Sequence, residues 1–296
     1  DAVWKEEHDL QLPPRKRHVH HLLLLGAGGT GKTHVVQKLI FPAVEYIWPS
    51  ASKASPSLLV VASSNEQAKN ISTKQVKART LHNAGAIRVQ RMVNSKMRAG
   101  DKKKTLTTLH RGVYVLVNEE CSMTPAANCN MLDFRMMYGR AESHDVSEAT
   151  YSDKHCAFGR CPIVIHLGDF LQLSPTNQLG LLTDANARRE DGSLVFKDPP
   201  TAEVQHACAL FQSIRTVVEL KGTKRFAPGD PRIKFLECMR AGKRFPPGGW
   251  RAFQGRVADD LSPEETYLSG HGLAMYWETL ARWSPRRARR DAEVLG

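Results

Sequence analysis

Short apolar runs alternate with segments of helical periodicity along the first two thirds of the chain. The apolar runs predict strands at Val19–Leu25, Leu58–Ala62, Gly112–Val117, Ile163–Leu167 and Thr216–Leu220. The periodic segments predict helices at Lys32–Ile40 (ending near Pro42), Asn65–Ser72, Thr124–Arg140, Val204–Ile214 and Pro231–Ala241. Polar stretches predict a loop at Ser50–Ser57, a charged turn at Gly100–Lys104 and an insertion at Glu142–Arg160. The alternation is typical of an α/β protein whose parallel sheet carries helices on both faces.

The first apolar run ends in a glycine-rich turn, GAGGTGKT, which matches GxxxxGK[ST] in full. In this pattern backbone N–H groups cradle phosphate oxygens at a helix start, the lysine reaches the β- and γ-phosphates, and the threonine hydroxyl binds Mg²⁺. The residues predicted to bind nucleotide are Gly26, Ala27, Gly28, Gly29, Thr30, Gly31, Lys32 and Thr33. The dinucleotide pattern GxGxxG also fits Gly26–Gly31, but the Lys-Thr pair favours a P-loop. A glycine-rich turn without a ligand is the remaining alternative.

Charge and composition add a candidate partner. The formal net charge of +12, from 42 Lys and Arg against 30 Asp and Glu, favours nucleic acid as partner, with solubility as the alternative. Hydrophobic residues make up 41% of the 296 residues, enough for a sizeable core. No apolar run has the length of a membrane span and the N-terminus has no signal-peptide core, so an intracellular protein without a membrane partner is expected.

The cysteines and the histidines of the first strand do not suggest a metal site. The six cysteines include no CxxC pair, which predicts free thiols in a reducing compartment rather than a zinc site. His18, His20 and His21 are expected on the solvent face of the first strand rather than as metal ligands.

Two later strand ends carry groups suited to phosphate chemistry. Gly112–Val117 leads into Glu119 and Glu120, as in the Walker B pattern, where one carboxylate holds Mg²⁺ and the next polarises the attacking water. Ile163–Leu167 leads into GDFLQLSP, in which the amide of Gln172 can sense a γ-phosphate. Both are expected beside the P-loop, because ligands of such sheets bind at the carboxyl ends of the strands. The alternatives are a solvated acidic strand end and an ordinary strand-to-loop junction.

Six segments together resemble the PIF-type DNA helicases, superfamily-one motors of the 5′-to-3′ branch that are related to RecD. They are GAGGTGKT, RTLHNAG (Arg79–Gly85), EECSM (Glu119–Met123), GDFLQLSP (Gly168–Pro175), ELKGTKRF (Glu219–Phe226) and FLECMRAGK (Phe235–Lys243). The resemblance covers residues 20 to 243 and implies the first RecA-like domain of a P-loop NTPase. It divides the chain into an N-terminal extension (1–17), the ATPase domain (18–245) and a truncated or degenerate C-terminal segment with an Arg-rich tail (246–296).

The resemblance also implies a role for each matching residue. Lys32 would bind the phosphates, Glu120 would be the catalytic base, Gln172 would contact the γ-phosphate and Arg225 would be an arginine finger. Thr33 and Glu119 would hold Mg²⁺, and Thr80 and His82 would lie near single-stranded DNA. The implied cofactors are ATP and Mg²⁺, the implied partner is single-stranded DNA, and the implied setting is genome maintenance, nuclear or mitochondrial if the organism is eukaryotic.

Two departures from the family pattern bear on activity. Glu119 stands where the family has Asp, which moves the carboxylate roughly 1.5 Å further out, and Mg²⁺ demands near-ideal geometry. About fifty residues follow Lys243 without a match to second-domain motifs, so a fragment of a longer helicase or a degenerate helicase is expected. The alternatives are a module that binds ATP and nucleic acid without turnover, and a P-loop small-molecule kinase, in which GDFLQLSP would have no role.

Overall fold

The computed structural model describes residues 19–86, 101–140, 157–172, 174–175, 178–184, 200–227, 229–241 and 243. The chain divides into two compact units, Asp1–Ala227 and Pro228–Gly296. The predicted N-terminal extension, the predicted C-terminal segment and residues 142–156 of the predicted insertion lie outside the described residues. Among the helices described, none combines the length and apolar character that crossing a membrane requires.

Strands and helices alternate through the first unit. The strands are β1 (His20–Gly26), β2 (Leu58–Ala62), β3 (Arg79–Thr80), β4 (Val115–Glu119), β5 (Ile163–Gly168) and β6 (Thr216–Leu220). The helices are α1 (Lys32–Val35), α2 (Phe41–Ile47), α3 (Asn65–Ile71), α4 (Leu81–Ala84), α5 (Asp101–His110), α6 (Ala126–Arg140) and α7 (Ala202–Gln212). A π-helical segment (Val36–Ile40) joins α1 to α2, and 3₁₀ turns occupy Cys121–Met123 and Ala157–Gly159. In the second unit, α8 spans Pro231–Arg240.

The described strands form one parallel sheet in the order β3-β2-β4-β5-β1-β6. This confirms the predicted RecA-like α/β fold. The register aligns the strand ends, since Ala62 lies opposite Glu119 and Gly26 lies opposite Leu220. The loops that follow β1, β4, β5 and β6 therefore all leave from one edge of the sheet.

Successive side chains on the central strands serve two separate cores, one on each face of the sheet. Leu23 belongs to the core that includes Leu132 of α6 and Phe211 of α7. Its neighbour Leu24 belongs to the core that includes Val44 of α2. Since side chains alternate across a strand, both faces must be apolar when helices cover both. This is why the sequence shows continuous apolar runs rather than alternation.

The helix after the P-loop is longer than predicted. The chain stays helical from Lys32 to Ile47, whereas the sequence predicts an end near Pro42. Pro42 lies in the first turn of α2, directly after the π-helical segment. The first turn of an α-helical segment is the position in which proline is best tolerated, and the change from π-helical to α-helical hydrogen bonding occurs at this point.

The charged turn predicted at Gly100–Lys104 is wrong, because α5 begins at Asp101 and continues to His110. Leu106 and Leu109 are buried and give α5 an apolar face at helical spacing, which the preceding lysines obscure in the sequence. The strand that follows begins at Val115 rather than Gly112, because Arg111 and Gly112 form a turn.

The prediction that His21 lies on a solvent face is also wrong. Its ring centroid lies 5.8 Å from that of Phe158 and 6.4 Å from that of His166. Burial lowers the pKa of His21, so the neutral form is favoured. His20 is exposed, as predicted, because neighbouring residues of a strand face opposite sides.

Candidate nucleotide-binding site

The P-loop turn lies between the end of β1 and the start of α1. Thr30 closes it by donating from both its N–H (3.2 Å) and its hydroxyl (2.9 Å) to the carbonyl oxygen of Ala27. Gly29 and Gly31 have φ angles of 84° and 95°, in the left-handed region that glycine adopts without a steric penalty. The glycines therefore permit the curl that the sequence pattern predicts.

Lys32 lies inside this curl. Its side chain is buried, and its Nζ donates hydrogen bonds to the carbonyl oxygens of Gly26 (2.7 Å) and Ala27 (3.4 Å). Its positive charge also lowers the pKa values of Glu119 and Glu120. The loop thus holds a cation where the P-loop pattern requires one for phosphate.

Thr33 joins the P-loop to the end of β4. Its hydroxyl donates to Oε1 of Glu119 over 3.0 Å, and Glu119 is buried. The other carboxylate oxygen, Oε2, is buried without a hydrogen-bond partner. A carboxylate oxygen with a free lone pair beside a hydroxyl suits Mg²⁺, which takes oxygen ligands and needs only one or two from protein when phosphates supply others. These two residues therefore fit the metal predicted for them.

Glu119 has an unusual acidity. Burial raises its pKa to about 7, and the charge of Glu120 adds to the rise. The hydrogen bond from Thr33 and the charge of Lys32 act against it. An uncompensated buried carboxylate favours its protonated form, and a bound cation would reverse that preference.

Glu120 follows β4 in a left-handed conformation, with φ 50° and ψ 50°. A 3₁₀ turn holds it there, since the N–H of Met123 donates to the carbonyl oxygen of Glu120 over 2.9 Å. Its Oε2 is buried without a hydrogen-bond partner. Burial raises the pKa of Glu120, Lys32 lowers it and the charge of Asp169 raises it. Non-glycine residues in this conformation often mark functional positions.

The 3₁₀ turn and the residue after it are fixed to the loop that follows β2 and to α3. The hydroxyl groups of Ser63 and Thr124 lie 3.1 Å apart, and the amide of Gln67 donates to the sulfur of Met123 over 3.2 Å. Neither contact follows from the sequence, because the partners are about sixty residues apart.

Asp169 is a site residue that the sequence treats only as part of a turn. It is buried at the end of β5, and one of its carboxylate oxygens accepts a hydrogen bond from Nε2 of Gln172 (2.9 Å). The other accepts from the N–H of Leu171 (3.2 Å). Asp169 therefore orients the predicted γ-phosphate contact. An aspartate directly before a turn was the available signal.

Arg225 reaches the P-loop from the segment after β6. The N–H of Lys224 donates to the carbonyl oxygen of Gly29 over 2.7 Å, which fixes this segment over the turn. A methyl group built on Gly28 would lie 3.5 Å from Nη1 of Arg225 and 3.5 Å from Nε2 of Gln172. The structure therefore brings two of the predicted catalytic side chains, those of Gln172 and Arg225, to the same point of the P-loop.

Thr80 and His82 lie elsewhere. Thr80 is the last residue of the edge strand β3, and His82 lies in α4 directly after it. The sheet order separates β3 from β1 by β2, β4 and β5. The hydroxyl of Thr80 accepts from the N–H of Asn83 (3.2 Å) and so caps α4. His82 is half-buried. Thr80 thus has a structural role that the motif does not predict, and DNA contact by either residue stays a prediction.

These features define a P-loop NTPase with a RecA-like sheet. A family model, PIF1-like helicase, matches residues 15–227, and the chain therefore belongs to the PIF1-like helicase family. Family and fold together make it the first RecA-like domain of a helicase motor, which confirms the resemblance seen in the sequence.

The chain is also similar to solved structures of Pif1 helicases. Pif1 helicase from Bacteroides in complex with ADP-AlF3 and ssDNA is 17% identical, with a TM-score of 0.47, over 90% of this chain and 52% of that one. Pif1 helicase from Candida albicans is 20% identical, with a TM-score of 0.48, over 85% of this chain and 45% of that one. The chain thus spans about half the length of the structures it matches. No curated protein matches it.

Proposed function

We propose that the chain is the ATP-hydrolysing domain of a 5′-to-3′ DNA helicase and couples hydrolysis to movement along single-stranded DNA in genome maintenance. The convergence of separate strand ends on the P-loop is the observation that carries this proposal. Thr33 meets Glu119 at 3.0 Å, while Gln172 and Arg225 both approach Gly28.

Each side chain at this point has a task in phosphoryl transfer. A bound Mg²⁺ would supply charge neutralisation for the β- and γ-phosphates, held by Thr33 and Glu119. Lys32 supplies a fixed positive charge within the loop, and Arg225 adds a guanidinium whose donors suit phosphate oxygens. Because these charges are in place before the reaction, they stabilise the transferring group without rearrangement.

Glu120 is the base in this proposal. Its pKa is raised by burial, so it accepts a proton more readily than an exposed glutamate does. Gln172 presents its amide beside Gly28 while Asp169 fixes its orientation. This arrangement lets Gln172 sense the γ-phosphate and lets Glu120 take the proton of the attacking water.

The nucleic-acid partner is proposed from family membership and charge. A net charge of +12 favours a polyanion, and Thr80 and His82 are the residues proposed to contact single-stranded DNA. Contacts to phosphates together with base stacking make binding salt-sensitive and largely independent of sequence.

The test is the steady-state ATPase rate with and without oligothymidine, for the wild type and for Lys32→Ala. DNA-stimulated hydrolysis in the wild type and its loss in the variant are expected. Lys38→Ala, an exposed lysine of the same helical segment, is the matched control and should keep the wild-type rate. Binding of ATP and DNA without hydrolysis would instead support an inactive binding module.

Direction is tested by streptavidin displacement from biotinylated oligonucleotides. Movement towards the 3′ end removes streptavidin from a 3′-biotin and leaves the 5′-biotin complex intact. The reverse preference would contradict the assigned polarity while leaving the ATPase proposal in place.

A further inference from the structure

Two grooves on the first unit meet at Arg79. The larger, with a volume of about 730 Å³, runs between α2, the loop before β2 and the segment before β3. We name it the Tyr46 groove, after an exposed tyrosine on its wall. The second, the Lys104 groove, is lined by Arg79, Asn83 and residues of α5 that include Lys104. Arg79 belongs to both, so the two form one surface.

Positive charge dominates this surface. The lining residues of the Tyr46 groove include Lys53, Lys77 and Arg79, and the Lys104 groove adds Lys104. Glu45 is the sole carboxylate among the described residues that line either groove. Its two oxygens accept hydrogen bonds from the N–H (3.1 Å) and the hydroxyl (3.2 Å) of Ser50. The cations therefore outnumber a carboxylate that is already hydrogen-bonded, which favours a polyanionic ligand.

Tyr46 adds an aromatic platform. Its side chain is 89% exposed, although α2 is anchored beneath it by the buried Phe41 and Val44. A tyrosine presented to solvent from a rigid helix has a free face on which a base can stack. Cations interleaved with an exposed aromatic ring are the combination that binds single strands without sequence preference. An acidic peptide would use the cations but would have no need of the ring.

The surface is distinct from the nucleotide site yet continuous with the residues proposed to contact DNA. Its lining includes Leu58, at the amino end of β2, whereas the P-loop lies at the carboxyl ends of the strands. No lining residue in the described part of the chain belongs to the nucleotide site. Arg79 directly precedes Thr80, which is proposed to lie near single-stranded DNA.

We propose that this surface binds a stretch of single-stranded DNA, with phosphates at Lys53, Lys77, Arg79 and Lys104 and a base stacked on Tyr46. The inference rests on the proposed function, since it extends the DNA path past Thr80 and His82 along the edge of the sheet. It predicts that affinity for a single strand depends on residues remote from the ATPase site.

The test compares the binding of fluorescein-labelled oligothymidine across a salt series. Lys53→Ala with Lys77→Ala removes two phosphate contacts, so the slope of log K against log salt should fall in magnitude by about 1.4, at about 0.7 per contact. The control pair Lys38→Ala with Arg215→Ala removes two exposed cations that line neither groove and should keep the slope. Basal ATPase should stay unchanged in both.

Tyr46 is tested separately. Tyr46→Ala should weaken binding roughly tenfold through lost stacking, whereas Tyr46→Phe should bind like the wild type. An unchanged salt slope in the lysine pair together with unchanged binding of Tyr46→Ala would overturn the inference while wild-type DNA binding still supports the proposed function. Competition by polyglutamate as strong as by unlabelled oligothymidine would assign the surface to an acidic peptide and also overturn it. A wild type that binds no oligothymidine would overturn both proposals.

Discussion

The hydroxyl of Thr33 and Oε1 of Glu119 lie 3.0 Å apart and form a hydrogen bond between the P-loop and the end of β4. Glutamate is one methylene longer than the aspartate of the family pattern, but it still reaches Thr33. The contact uses one carboxylate oxygen and leaves the other, Oε2, buried without a partner. The site therefore contains a carboxylate whose charge is stabilised only in part.

Glu119 should make the stability of the protein depend on pH. Its pKa is about 7 in the folded chain against an ordinary value of 4.5, so the folded state binds the proton more tightly. Stability from this group is complete below about pH 4.5 and is lost as the pH rises through 7, by up to about 3 kcal/mol. Urea unfolding at about pH 5 and about pH 8 should show Glu119→Gln gaining stability over the wild type at the higher pH.

The difference in unfolding free energy between the wild type and Glu119→Gln isolates the contribution of Glu119. Burial lowers the pKa of His110 to about 4 and that of His166 to about 3. The stability that these two groups contribute to the folded protein is therefore lost as the pH falls below about 6.5. Both proteins carry them, so their contribution cancels in the comparison. An equal difference between wild type and variant at both pH values would contradict the raised pKa of Glu119.

Glu120→Gln should remove hydrolysis and keep nucleotide binding. The substitution preserves the shape of the side chain at φ 50° but removes the base, and a general base contributes about 10²–10⁴-fold to the rate. Single-turnover hydrolysis and the binding of a fluorescent ATP analogue separate the two effects. Glu66→Gln, which changes an exposed glutamate of α3, is the matched control. A parallel loss of nucleotide affinity would argue against a role for Glu120 as the base.

Arg225→Lys should lower kcat far more than it changes KM for ATP. Lysine keeps the charge but loses the planar fork of donors, and an arginine finger is worth about 10³-fold or more. Steady-state kinetics of this variant measure the effect, and Lys221→Ala, an exposed lysine of the same segment, should behave as the wild type. A rise in KM at constant kcat would instead make Arg225 a residue for ground-state binding.

The sequence predicts the sheet and the nucleotide site because both depend on local patterns. Apolar runs identify β2 and β6 at their observed bounds, and the P-loop pattern specifies its own backbone conformation. The positions of the paired acids at the end of β4 and of the glutamine after β5 follow from the rule that such strands end at one edge of the sheet. Arg225 could be named only by the family resemblance, because the contact of Lys224 with Gly29 spans almost two hundred residues.

The wrong predictions concern residues whose placement depends on tertiary contacts rather than on local sequence patterns. The lysines before Leu106 hide the buried face of α5, and Pro42 falls in a helical turn where it does no harm. The side chain of His21 packs against His166, because side chains alternate along a strand and that of the neighbouring His20 faces solvent. Asp169 acts on Gln172 through a side-chain hydrogen bond, which no hydrophobic pattern records. Tertiary contacts decide each of these cases.

Arg140, which is not part of the nucleotide site, should be a major determinant of stability. From the last turn of α6 its guanidinium donates to the carbonyl oxygens of His110 (2.9 Å) and Val113 before β4, and of Gly159 (2.9 Å) and Arg160 (3.3 Å) before β5. Lysine cannot reproduce this planar set of donors. Arg140→Lys leaves some of these carbonyls unpaired, so we expect the free energy of unfolding to fall by about 2 kcal/mol.

Urea denaturation of Arg140→Lys measures this loss, and Arg111→Lys, an exposed arginine after α5, provides the matched control that should change it little. The two strands that Arg140 joins at their amino ends carry Glu119 and Asp169 at their carboxyl ends. If the guanidinium only stabilises the fold, kcat should stay unchanged at temperatures well below the melting point. A buried carbonyl group without a hydrogen-bond partner lowers the free energy of unfolding. If Arg140→Lys is as stable as the wild type, water must therefore replace the lost hydrogen bonds.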